Sequence, residues 1–257
     1  MSTLSHLQPA GKLMRCMLHA VDGEIGTVEA LYFDDVNWIV RYLLVNTGDW
    51  LAGRRVLISP VAVGEVREDE KSIFIELTRC QLENSPPLDA RQTVSRGYET
   101  AYYKYYDWPV YWENDRRGVP LSTASPEAQP SAGEETNTGC QELRLHRTSG
   151  LDGCVIVALD GAIGQVRGQI MDTRYWVMRY LAIEIHSECS GRHALVSPAW
   201  VERVSWRDHL MNIGLSSMAI GSAPGYDPCT GVSRDYEARL FRHYGRPAYW
   251  QRNDGMN

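Results

Sequence analysis

The chain has 257 residues, 44% of them hydrophobic and 23% charged, with a formal net charge of −6, enough polypeptide for one large folded unit or two small ones. Residues 1–120 carry 13 Lys/Arg against 17 Asp/Glu and the remainder 13 against 15, so neither half has the cationic surplus that neutralises many phosphates, and nucleic acid is not an expected partner. No stretch approaches the roughly 20 apolar residues that span a bilayer, residues 1–21 lack a signal-peptide core, and six cysteines without a C-x-x-C pair fit free thiols. The expected location is the cytoplasm.

The first elements are short strands. "LMRCMLHAV" runs into Asp22-Gly23, a dipeptide suited to a hairpin turn, and "EIGTVEALYF" continues the ladder. "WIVRYLLVN" is apolar and β-rich, as a strand buried on both faces should be. "RRVLISP" is a short strand stopped by Pro60, and "VGEVREDEKSIFIEL" reads as a further hairpin with its turn near Glu68–Lys71. Five or six antiparallel strands in about 70 residues predict a small barrel or curled sheet.

A tail follows. Ser95 is placed to cap a helix, Glu99 lies in its first turn, and Tyr98, Tyr102, Tyr103 and Tyr106 share one face. Pro109 is expected to end the helix, with Tyr111-Trp112 as an extended aromatic pair. The segment "AYYKYYDWPVYW" poses a choice between a platform for flat ligands and a strap that completes a small core. Residues 113–142, rich in Pro, Ser, Thr, Gly and Glu, read as a flexible linker.

Beyond the linker the chain repeats itself. A shift of 138 residues aligns residues 15–60 with 153–198 at 17 of 46 positions and residues 94–112 with 232–250 at nine of 19, without a gap. The expected organisation is therefore one unit at 10–113, a linker at 114–147 and a second unit at 148–251. The second tail keeps Ser233, Tyr236, Glu237, Tyr244, Pro247, Tyr249 and Trp250 but has Leu240, Phe241, His243 and Arg246 where the first has Tyr102, Tyr103, Tyr105 and Trp108. What both copies preserve is apolar bulk on one face, which favours the strap.

The pattern D-G-x-I-G-x-V, W-x-x-R-Y-L and a strand ending Ser-Pro occurs twice: at Asp22, Gly23, Ile25, Gly26, Val28, Trp38, Arg41, Tyr42, Leu43, Ser59 and Pro60, and at the positions 138 further on. It resembles the PRC-barrel domain, the β-barrel shared by the cytoplasmic part of the photosynthetic reaction centre H subunit and the C-terminal domain of ribosome maturation factors. The resemblance implies a mainly β fold of two small antiparallel barrels, each followed by a short aromatic helix. It implies a non-enzymatic scaffold or assembly factor that binds a protein partner or itself, peripheral to a membrane electron-transport or photosynthetic complex at the inner membrane. The alternative it implies is a ribosome maturation or RNA-processing adaptor.

Catalytic signatures such as G-x-S-x-G, a P-loop, a dinucleotide fingerprint or H-E-x-x-H are missing, and neither enzyme activity nor a cofactor is expected. Asp34-Asp35 is read as a turn rather than an acid/base pair. "HSECSGRH" offers His186, Cys189 and His193 as zinc ligands, but no fourth ligand is in view and a chance cluster is favoured. Arg41 and Arg179 sit inside apolar strands, where a guanidinium must be paired; a turn carboxylate such as Asp22 or Asp34 is the expected partner of Arg41, with an anion site as the alternative. Trp38 and Trp176 are expected core anchors, and Cys16 and Cys154 buried thiols. Tyr105 and Trp108, special to the first tail, are candidate partner-binding residues together with Arg41 and Arg179.

Overall fold

The structure, a computed structural model, describes residues 6–88, 94–112, 145–185 and 191–251. It is mainly β, with two seven-stranded sheets and few helices. The first half supplies β1 (Leu7–Pro9), β2 (Met17–Ala20), β3 (Gly23–Asp34), β4 (Val40–Asn46), β5 (Arg55–Ile58), β6 (Val63–Arg67) and β7 (Ser72–Ile75). The second supplies β8 (Leu145–Arg147), β9 (Val155–Ala158), β10 (Gly161–Asp172), β11 (Val177–Ile185), β12 (His193–Val196), β13 (Val201–Ser205) and β14 (Leu210–Ile213). The sheet orders are β5-β4-β3-β2-β7-β6 and β12-β11-β10-β9-β14-β13, the same path twice.

The repeated motif explains these strands locally. Ala20 pairs with Gly23, so the hairpin loop is Val21-Asp22, one residue earlier than the sequence suggests. That frees the Asp22 carboxylate to accept the N–H of Arg79 at 2.8 Å and start a short helix, as Asp160 does for Ser217 at 2.7 Å. Gly26 and Gly164 are required by close packing: a Cβ there would lie 2.0 Å from the carbonyl oxygen of Asn46 and 2.2 Å from that of Glu184. Gly164→Ala must push β10 off β11, and it should cost at least about 1–3 kcal/mol, as overpacking does; urea unfolding checks this, and an unchanged midpoint would refute it. Ser59 and Ser197 each end a strand and cap a 3-10 turn that opens on the following proline, and this turn carries the chain across to the β6–β7 and β13–β14 hairpins.

Two pairings depart from the antiparallel expectation. β7 runs parallel to β2 and β14 parallel to β9, because the crossing turn after the fourth strand returns the last strand in the direction of the first.

The larger departure is that the halves exchange strands. β1 leaves its own repeat and pairs with β10, Leu7 opposite Asp172, while β8 pairs with β3, Leu145 opposite Asp34. These registers map onto each other under the 138-residue shift. The linker expected to reach residue 147 therefore stops short of Leu145–Arg147, which are strand; the rest of it lies outside the described residues. Between the sheets, Val40 N–H donates to the Trp176 carbonyl at 2.7 Å and Met178 N–H to the Trp38 carbonyl at 2.8 Å. Ile39 bridges Val177, its own counterpart, so a pseudo-twofold axis passes there. Trp38 and Trp176 are buried at this junction, as anchors should be, in left-handed backbone with φ of 58° and 55°. One contiguous hydrophobic core runs through both repeats, with Leu7, Leu13, Phe33, Leu151, Met171 and Met178 among its members.

Candidate functional site

Each tail seats on its sheet through a buried carboxylate. Ser95 and Ser233 cap helices Arg96–Tyr105 and Arg234–His243, accepting the N–H of Tyr98 and Tyr236. The helices stop before the prolines because Asp107 and Gly245 take left-handed backbone, with φ of 55° and 61°. Tyr111-Trp112 and Tyr249-Trp250 lie in helical or turn backbone, not the extended pair expected, and this curls their rings back over the helix. Glu99 accepts from Tyr42 at 3.1 Å and Tyr111 at 2.8 Å and pairs with Arg96 at 3.0 Å. Glu237 repeats this with Tyr180 at 2.6 Å, Tyr249 at 2.9 Å and Arg234 at 2.8 Å. Burial pushes both carboxyls above their usual range, against the Tyr hydrogen bonds and Arg charges that favour ionisation. Burial likewise pushes the Tyr249 hydroxyl up to about 12.

The strap reading also accounts for an apparent mismatch. Tyr102 Oη donates to the Leu57 carbonyl at 3.0 Å, and its place in the second helix is held by Leu240. Tyr244, one turn later, reaches the equivalent Leu195 carbonyl at 3.2 Å. Helical spacing of four places either tyrosine over the same strand.

Arg41 lies against Asp34, Nε to Oδ2 at 2.6 Å, with its guanidinium 3.8 Å from the Tyr111 ring centroid. Arg179 reaches Asp172 at 3.4 Å and the Tyr249 ring at 4.1 Å. Tyr105 is exposed, although its hydroxyl donates to the Gln81 carbonyl at 2.8 Å. Trp108 is half-buried and stacks on Tyr106 at 4.6 Å, part of the strap more than a free surface. His193 pairs with Glu184 in the ladder, while His186 and Cys189 lie outside the described residues. Among the described residues no three His, Cys, Asp or Glu side chains gather as a metal would need, and no helix is long and apolar enough to cross a membrane. Cys16 and Cys154 are buried, and burial raises both thiols.

Only Asp35 opens the turn: Asp34, expected in a solvated turn, is the last residue of β3 and fully buried where it meets Arg41, and Asp35 has a second role. Its Oδ2 meets His146 Nε2 at 3.1 Å and accepts from Trp206 Nε1 at 3.0 Å, and the His146 and Trp206 rings stack at 3.7 Å. Burial opposes its charge, yet these hydrogen bonds and the imidazole together hold Asp35 below the usual carboxylate value. The counterparts of Asp35, His146 and Trp206 under the repeat are Thr173, Gln8 and Glu68. The clasp is therefore particular to one side of the molecule. Sequence reasoning missed it because His146 falls where a linker was expected.

A cleft of about 670 Å³ opens beside this clasp, between the Asp35–Trp38 turn and the second repeat. That is the size of a small-molecule site. Its aromatic walls are Trp38, Trp200, Trp206, Phe241 and Tyr249, and Arg179, Arg203 and Arg246 also line it. No family model matches the chain, and no curated protein does.

Proposed function

We propose that the chain is a non-enzymatic scaffold or assembly factor built from two PRC-type barrels, which holds a protein partner at the periphery of a membrane electron-transport or photosynthetic complex. The observation that carries this reading is the reciprocal exchange of β1 and β8, which locks two like modules about a pseudo-twofold axis. Two modules in fixed geometry present paired surfaces whose joint affinity exceeds that of either. The long, bulged β3 and β10, each shared by three neighbouring strands, suit the curled path of a PRC-type barrel. The side chains that recur in both copies at this seat, Arg41/Arg179, Tyr42/Tyr180 and Glu99/Glu237, are spent on one another, as structural residues are.

The test is cross-linked affinity purification of the full chain from its native cell, read by quantitative mass spectrometry. Enrichment of subunits from a membrane energy-converting complex is the expected result. Enrichment of ribosomal proteins would overturn it in favour of a ribosome maturation adaptor.

A further inference from the structure

The two repeats reproduce many of their structural bonds at equivalent residues, so the places where they diverge carry information. Arg54 donates to the Glu83 and Ser85 carbonyls, and Arg192 to those of Gly221 and Ala223. Tyr98 donates to the Pro86 carbonyl, and Tyr236 to that of Pro224. Against that background, the wall formed by β13 and the end of the second tail has changed character. Trp200, Arg203, Trp206 and Arg246 stand where the first repeat has Ala62, Glu65, Glu68 and Trp108. Two carboxylates have given way to an arginine and a tryptophan. A tryptophan that stacks on Tyr106 in the first repeat has given way to a second arginine lining open space. The one acid gained in this wall is Glu202, which is exposed and stands where the first repeat has Gly64.

A second observation concerns Arg179. Its counterpart Arg41 donates Nε to Asp34 at 2.6 Å, whereas Arg179 reaches Asp172 only through Nη2, at 3.4 Å. Its Nε is buried without a hydrogen-bond partner among the described residues. Arg179 is thus held less closely by its carboxylate than Arg41 is, which leaves its charge less fully neutralised beside the cleft that it lines. The other carboxylate of the wall, Asp35, already holds His146 and Trp206.

We propose that this cleft is a binding site for a small, flat aromatic anion, its ring between the tryptophans and its charge toward Arg179, Arg203 and Arg246. The site is independent of the scaffold reading. Indole faces attract planar rings, and guanidinium forks suit carboxylate, sulfonate or phosphate oxygens.

The test titrates the full chain with 8-anilinonaphthalene-1-sulfonate and, in parallel, with the uncharged N-phenyl-1-naphthylamine. The variants install the first repeat's residues: the double variant Arg203→Glu/Arg246→Trp and the single variant Trp200→Ala, with urea midpoints measured alongside. One saturable site for the anionic dye is expected. Arg203→Glu/Arg246→Trp should weaken it about 10-fold or more while changing the neutral dye far less. Trp200→Ala should weaken both. An anionic dye that binds the double variant as tightly as the parent, or at several equivalent sites, overturns the proposal. So does loss of both dyes in the double variant with an unchanged urea midpoint. If the double variant unfolds, the Trp200→Ala titration decides alone, and unchanged affinity there is a refutation.

Discussion

Expressed alone, residues 10–113 should not fold into a monomer as stable as the full chain. This fragment keeps β2 to β7 but lacks β8, which covers β3 at Tyr32–Asp34. Its Leu13 is buried in a core that continues into the other repeat, and the Val40 and Trp38 backbone groups bonded to Trp176 and Met178 lose their partners. Burying a Leu, Phe or Met side chain is worth about 1.5–3 kcal/mol. Exposing four or five such groups is therefore comparable to a whole domain's stability of about 5–15 kcal/mol. The pseudo-twofold relation says what the fragments should do instead. Residues 6–112 mixed with 145–251 should reassociate one to one, and residues 6–112 alone should unfold or pair with themselves by placing β1 on a partner's β3. Light scattering gives the masses and circular dichroism the melting temperatures. A monomeric 10–113 fragment melting within a few degrees of the full chain would show the exchange to be incidental.

The same exchange marks the limit of what sequence patterning conveys. The positions of β2 to β7 and β9 to β14, the hairpins near Asp22 and Asp160, the Ser95 and Ser233 caps and the buried face of the tails follow from local chemistry and show in the sequence, whereas β1 and β8 do not. Which β10 edge β1 joins is not local. Leu7–Pro9 is three residues long, and its periodicity would suit either sheet equally. The carboxylate seats were half visible. Glu99 and Glu237 fall in the first helical turn, where the helix dipole alone would explain them. The sharper signal was that Arg96, Glu99 and Tyr111 all recur in the second copy as Arg234, Glu237 and Tyr249, the three groups that meet. The clasp of Asp35, His146 and Trp206 has no such echo, since it forms on one side only, and self-comparison is blind to it.

Glu237→Ala and Glu99→Ala should be among the most damaging single substitutions in the chain. Each carboxylate is 1% exposed and accepts from two tyrosine hydroxyls, those of buried Tyr42 and Tyr111 or of buried Tyr180 and half-buried Tyr249, beside an arginine. Removing one partner of such a cluster costs about 3–5 kcal/mol, because the remaining polar groups stay buried without it. Gln keeps the volume and an acceptor oxygen, so Glu237→Gln should cost about 1–2 kcal/mol. Arg234 is largely exposed, which further weakens the charge lost. The pH dependence distinguishes this seat from an ordinary salt bridge. Burial raises both carboxyls above the usual 4.5, so the folded state holds these protons more tightly than the unfolded chain. Their contribution to stability is fully present below 4.5 and falls as pH rises through the raised value. An acid held at low pKa by an ion pair would do the reverse. Urea unfolding of the parent and of the Glu99→Gln/Glu237→Gln double variant at pH 5 and pH 7.5 should therefore show the parent's advantage larger at pH 5. An advantage that shrinks on acidification would mean that the arginines, not burial, set the charge of the seat.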